Sequence, residues 1–321
     1  MIENYDVIVN DTRKVRGAVL YATDQGPLLL KEVNFSEKRV PVLYELSREL
    51  EKHGYPRTDG ILKTKEGNYF CVDENETKYI LKKWFQGREC DHQRETEVME
   101  AVRNLALLHR TMEECENIPV YVKETKDQEY FRHNREMKKV RSFIRDRSMK
   151  GQFELFYLKH FEGMYQWAEM ATEKLKASGY QALLQRSLEE GKLVHGDYNY
   201  HNILMTNAGL ATTGFEHVYS GIPVTDLYDF LRKIMEKNEW NLSLGDKMLN
   251  AYSRILPLSD EELEYLALCF AYPEKFWKIA NSYYRSSKAW LSSKNLEKLE
   301  TAVLQAKQKQ EFLSKIFAFL L

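Results

Sequence analysis

No apolar run in this chain approaches the ~20 residues that a membrane-spanning helix requires. The opening Met1-Ile2-Glu3-Asn4-Tyr5-Asp6 has neither the basic stretch nor the apolar segment of a secretory leader. The expectation from both absences is a cytoplasmic protein with no membrane role. Cysteine is sparse: Cys71, Cys90, Cys115 and Cys269 stand apart with no CxxC pair, which speaks against a zinc ribbon or a disulfide scaffold. Buried or idle thiols are what remains. Net charge is nearly absent, at -1 over 321 residues, so general nucleic-acid binding has no electrostatic support. No internal repeat or low-complexity segment stands out. What is present is 43% apolar and 30% charged residues, the balance of a soluble globular protein, in a chain long enough for two lobes and too long for one small core.

The chemistry concentrates in His195-Gly196-Asp197-Tyr198-Asn199-Tyr200-His201-Asn202-Ile203-Leu204. A carboxylate is followed five positions later by a carboxamide, after His-Gly and ahead of an apolar pair able to start a strand. A tight loop between two short strands would aim both groups at one point. The pattern resembles the catalytic loop of the protein-kinase-like phosphotransferases, in which the aspartate accepts the substrate hydroxyl's proton and the asparagine holds magnesium. Gly196, where protein kinases carry arginine, directs the resemblance to the aminoglycoside and choline kinase branch. Within it, Asp-Tyr-x-Tyr-His-Asn-Ile-Leu resembles the CotS family of bacterial spore-coat proteins. A surface turn rich in His, Asn and Asp would read the same in isolation, so the context has to agree.

The resemblance implies an α+β, bilobal protein-kinase-like fold: a small antiparallel-sheet N-lobe with one main helix over 1–87, and a larger, mostly helical C-lobe over 88–321. The residues fit that plan. Tyr5 to Asn10 and Arg16 to Thr23 alternate loosely, and the turn Asp24-Gln25-Gly26-Pro27 leads into Leu28 to Val33. Lys31 on that last strand is the candidate for the lysine that contacts nucleotide phosphates, although a lone strand lysine often just faces solvent. A helix is expected from Ser36 to about His53, stopped by Gly54, with Leu43, Leu46 and Leu50 as its apolar stripe. Pro41 marks a kink or a later start. Glu45, with Glu49 in reserve, is the candidate partner of Lys31, and a solvated acidic face explains those glutamates equally well. Ile61 to Thr64, Asn68 to Val72 and Lys78 to Trp84 read as further strands. Trp84, Phe85 and Gln86, ahead of Gly87, match the family's adenine-binding hinge.

Beyond the hinge the chain reads as helical. Leu105-Ala106-Leu107-Leu108-His109 resembles the family's Leu-Ala-x-Leu-His, with His109 structural. The basic run over 124–150 reads as a solvated helix face. Helices are expected near Thr225 to Lys237, Ser243 to Ile255, Ser259 to Phe270, Glu274 to Trp290 and Asn295 to the end, in an unusually aromatic region. After the loop, where the family places Ile-Asp-Phe-Asp or Ile-Asp-Phe-Glu, this chain has Thr213-Gly214-Phe215-Glu216. Glycine replaces the aspartate that holds magnesium against the phosphates. Losing that carboxylate should slow phosphoryl transfer by roughly three orders of magnitude, since metal catalysis supplies several kcal/mol and each ~1.4 kcal/mol is tenfold. Asn202 and, if the loop is reshaped, Glu216 are the remaining candidate metal ligands. Asp226 matches a structural aspartate that starts a helix and braces the catalytic loop through backbone N–H groups. Two functions follow from the resemblance. One is a coat or scaffold component with spore-coat partners and impaired catalysis. The other is an active kinase that uses ATP and Mg2+, with Asp197 as base, on a small hydroxylated substrate.

Overall fold

The computed structural model describes residues 1–15, 17–116, 118–286 and 293–319, so Trp290 lies outside the described residues. The N-terminal part carries β1 (Val9–Val15), β2 (Ala18–Thr23), β3 (Gly26–Glu32), α1 (Arg39–Lys52), β4 (Ile61–Leu62), β5 (Cys71–Val72), β6 (Lys78–Lys83) and β7 (Gly87–Glu89). Then come α2 (Glu95–Glu113), α3 (Lys126–Asp146), α4 (Gln152–Ala177) and α5 (Tyr180–Glu189). Short strands β8 (Leu193–Val194), β9 (Ile203–Thr206), β10 (Gly209–Thr212) and β11 (Tyr219–Ser220) lead to α6 (Val224–Lys237), α7 (Leu242–Ser253), α8 (Asp260–Ala271), α9 (Glu274–Arg285), α10 (Ser293–Leu304) and α11 (Ala306–Phe317). The fold is α+β, with an antiparallel sheet at the N-terminal end and a mostly helical C-terminal part. Internal contacts divide it into two compact units: Met1–Val122 with Ser187–Phe230 and Asn250–Pro257, and Lys123–Arg186 with Leu231–Leu249 and Leu258–Leu321.

In the first unit the sheet runs β1-β2-β3-β6-β4, antiparallel throughout, with β5 also on β6. Strand alternation sorts its side chains. Leu28 and Leu30 of β3 and Leu81 of β6 pack with Tyr5 and Cys71 on one face. Leu29, Lys31, Ile80 and Lys82 therefore point to the other. The first strand begins at Val9, not Tyr5: residues Ile2–Asn4 form a 3-10 turn and Tyr5 is buried beside the sheet. The cause is visible in β1, whose residues are almost all exposed and so carry little of the alternation by which strands are read.

Helix α1 starts at Arg39, three residues after the expected Ser36, which puts Pro41 in the first turn, where backbone N–H groups have no helical partner anyway. Val40, Leu43, Leu46 and Leu50 are its buried stripe, and Gly54 closes it in the left-handed region at φ +84°. In a second sheet, β7 pairs with β9 and β9 with β10. Strands β7 and β9 meet so closely at Gly87 that a Cβ there would lie 2.5 Å from the Met205 carbonyl oxygen.

The second unit is helical. Tyr130 stacks on Tyr272 and Tyr157 on Phe276, while Trp240, Phe270 and Phe312 meet at wider angles, so core packing accounts for much of the aromatic content. The basic run on α3 is a solvated face whose cations meet acids: Arg132 with Glu124, Lys138 with Glu169, Arg141 with Glu162. Ser259 and Glu262 form the expected capping box of α8. The single C-terminal helix expected from Asn295 is instead two helices, α10 and α11, that meet at Gln305.

The close approach at Gly87 is open to test. Gly87→Ala should destabilise the protein by about 1–3 kcal/mol in urea denaturation through overpacking against β9. Gly67→Ala, in open space at φ +83°, should cost only the left-handed penalty of about 1 kcal/mol. Equal losses for the two variants would contradict the contact.

Candidate functional site

The loop from His195 to Asn202 runs between β8 and β9, and β8 is held by β11. Its entry is fixed by Asp226 in the first turn of α6. The Asp226 Oδ2 accepts the backbone N–H of His195 at 2.6 Å, and Oδ1 accepts that of Gly196 at 2.9 Å. His109 Nε2 lies 3.2 Å from the same carboxylate, and its Nδ1 lies 2.7 Å from the Tyr252 hydroxyl. His109 is thus a buried strut inside α2. Gly196 sits at φ +80° with the His217 carbonyl oxygen 2.3 Å from where a Cβ would be, so no side chain fits there.

His195 is fully buried, and burial holds its pKa below the ordinary value, which leaves a neutral ring. The hydrogen bonds assign the tautomer: Nδ1 accepts from the Asp197 N–H at 3.2 Å and Nε2 donates to the Thr213 carbonyl at 3.1 Å. Tyr198 anchors the middle of the loop. Its hydroxyl donates to Ala101 O and accepts from Asn104, whose amide also reaches Thr212. Tyr55 completes this buried network through Asn104 and Thr212.

The two side chains expected to act together do face one point. Asn202 Nδ2 donates to Asp197 Oδ2 at 2.8 Å, and Asn199 Nδ2 donates to Asp197 Oδ1 at 2.9 Å. Gly214 lies against them. It takes φ +86°, and a Cβ would meet Asn202 Nδ2 at 2.7 Å, so the Asn202 carboxamide fills the place where a side chain at 214 would begin.

Glu216 is bound up in ion pairs. Its Oε1 accepts from Lys31 at 3.0 Å and from Lys82 at 2.8 Å, and Lys82 also contacts Asp59. The β3–β6 register explains why two lysines converge: Lys31 lies opposite Ile80, and Lys82, two residues on, shares that face. They differ in access, since Lys31 keeps 36% of its side chain exposed and Lys82 only 3%. Burial alone would pull the Lys82 pKa down, but Asp59 and Glu216 outweigh it and hold it up at about 12. For Glu216 burial works upward, and Lys82 and Lys31 win, keeping it well below the usual carboxylate range. Asp59 stays raised because burial and the neighbouring Glu216 charge exceed what Lys82 returns. Asp59 Oδ2 also accepts the Gly214 N–H at 2.9 Å.

The carboxylate of Lys31 is therefore Glu216 and not a helix glutamate. Glu45 is exposed on α1, and Glu49 pairs with Lys52 and His53 along the same helix. The α1 face towards the sheet is filled by its apolar stripe instead. Trp84, Phe85 and Gln86 form the link from β6 to β7, with the Trp84 N–H bonded to Pro27 O. Sequence reasoning missed Lys82 and Asp59. Lys82 stands in an apolar strand next to Lys83, and only the pairing register tells which of the two is buried.

With this geometry in place, comparison with known proteins is informative. The model of the spore coat putative kinase YutH family matches residues 1–316, and the chain belongs to that family. Spore coat protein S of Bacillus subtilis (strain 168) is 24% identical over 306 residues, covering 92% of this chain and 85% of that protein. The crystal structure of an aminoglycoside phosphotransferase from Alicyclobacillus acidocaldarius superposes with a TM-score of 0.84 at 15% identity, over 98% of this chain and 93% of the other. Spectinomycin phosphotransferase APH(9)-Ia, solved with ADP and spectinomycin, gives 0.65 at 11% identity, over 96% of each chain. The fold is that of the kinase-like phosphotransferases.

Lys82→Met should cost about 3–5 kcal/mol, because it leaves Asp59 buried without its counter-charge, and adding Asp59→Leu should recover much of the loss. A single variant as stable as wild type would deny the buried pair. Glu216 supplies a pH test. Its folded pKa lies below the ordinary 4.5, so its contribution is present above that value and lost as pH falls through the depressed one. The stability deficit of Glu216→Gln should accordingly shrink from pH ~7 to pH ~3, and a deficit independent of pH would exclude the ion pair as its source.

Proposed function

We propose that this family member is a spore-coat component that keeps the kinase-like frame, and a nucleotide site within it, but has lost efficient phosphoryl transfer. The observation that carries the reading is Gly214. It stands where the related pattern has the metal aspartate, and the space beside it is taken by Asn202. Magnesium asks for a near-octahedral oxygen shell at ~2.0–2.1 Å. Gly214 adds no oxygen and the Glu216 carboxylate is held by two ammonium groups, which leaves the neutral Asn202 amide oxygen as the remaining donor of the expected set. This donor set does not fit a magnesium clamp.

Nucleotide binding is a separate matter. Lys31 is exposed enough to reach phosphates, and Trp84, Phe85 and Gln86 follow β6 where the hinge of the resembling enzymes lies. A structural relative was solved with ADP, which supports ATP or ADP as the ligand class here. Glu216, in this reading, is the anchor of Lys31 and Lys82 and not a metal ligand. Coat proteins are the partners, and the spore coat is the location.

The second reading, an active ATP-dependent phosphotransferase for a small-molecule hydroxyl, is favoured by the intact pairing of Asp197 with Asn202 and by the braced loop around them. Titration calorimetry separates the two. ATP affinity should change by less than ~10-fold between Mg2+ and chelator, and turnover should be no higher than in Asp197→Asn, because no carboxylate couples metal to phosphate. Gly214→Asp, if folded, should lose about 1–2 kcal/mol to the left-handed backbone and gain Mg2+-dependent ATP affinity once Asn202 moves aside. A wild type whose ATP affinity rises steeply with Mg2+, with turnover abolished by Asp197→Asn, would establish the active reading instead.

A further inference from the structure

His133 lies on the buried face of α3 with 1% of its side chain exposed, and neither ring nitrogen has a hydrogen-bond partner. Both nitrogens face carboxylates. Glu129 Oε1, one turn earlier on the same helix, is 3.8 Å from Nε2, and Glu274 Oε2, at the first residue of α9, is 3.9 Å from Nδ1. These distances are too long for hydrogen bonds, which end near ~3.2 Å. They run to different ring nitrogens, of which one ion can bond only one, and two ligand atoms each ~2.0–2.1 Å from zinc stand at most ~4.2 Å apart. One ligand atom from each of the three residues falls within 4.8 Å of the others, so a small side-chain adjustment closes the set.

Lys126 occupies Glu129 Oε2 at 2.8 Å, which leaves Oε1, the oxygen nearest His133, for another cation. The ring is held flat against Trp277, with centroids 3.3 Å apart, so its nitrogens cannot swing out to water.

We infer that Glu129, His133 and Glu274 form a binding site for a divalent transition cation of the zinc class, joining α3 to the start of α9. One imidazole and two carboxylates are borderline donors that suit zinc or manganese better than magnesium, which keeps to oxygen. The site is independent of the nucleotide region and uses none of its residues.

The test uses the full chain, stripped with chelator and desalted, then titrated with zinc alone against a chromophoric chelator, with thermal unfolding in parallel. One equivalent should bind and raise the melting temperature by several degrees. Glu129→Gln and Glu274→Gln should each weaken binding at least ~10-fold. His133→Phe, which keeps the ring stack and removes the nitrogens, should abolish the equivalent. Failure of stripped wild type to take up zinc would overturn the site, as would full uptake by His133→Phe. If that variant does not fold, unchanged affinity in both glutamine variants would do the same.

Discussion

A single buried ammonium sets much of the arrangement around the candidate site. Lys82 stays charged in the interior only because Asp59 and Glu216 are brought to it from different parts of the chain. Asp59 precedes β4 and Glu216 follows β10, so satisfying the one lysine fixes both segments against β6. The consequences pass outward. Asp59 also receives the Gly214 N–H, which sets the backbone beside the Asn202 carboxamide. One residue further, Phe215 is buried edge-on to His195, so the ion cluster and the loop share a wall.

The loop itself is held by polar groups around and beneath it. Asp226 gathers the amides at its entry, His195 bridges from Asp197 to Thr213, and Tyr198 with Asn104, Thr212 and Tyr55 satisfies a polar network beneath it. Most of these groups are buried, and an unpaired buried polar atom costs about 1–3 kcal/mol. Folding alone is therefore reason enough for this network, and the motif speaks to fold more firmly than to function.

What could be read from the sequence follows the same division. The His-Gly-Asp loop, Asp226, the stripe on α1 and the capping box at Ser259 were legible because each rests on local spacing or local backbone chemistry. The partner of Lys31 was not. A helix glutamate is the pattern's answer, but Glu45 points outward, and the carboxylate in place comes from Glu216, 185 residues away along the chain. Lys82 and Asp59 were invisible for a related reason: strand register decides which of two adjacent lysines is buried, and register is a tertiary property. The exposed β1 shows the converse, a strand with too little burial to leave a pattern.

Gly214 and Lys82 are linked through Asp59, which meets both. Two ammonium groups, Lys31 and Lys82, face two carboxylates, Asp59 and Glu216, so the cluster is formally neutral without any metal. An aspartate at 214 would add a negative charge beside it and call for a cation. Glycine adds none. For Lys31 to reach a phosphate it has to leave Glu216, and in a site with one lysine that would strand a buried carboxylate at a cost of several kcal/mol. Here Lys82 remains behind with Glu216. The sealed lysine thus keeps Glu216 paired whichever way the half-exposed Lys31 turns.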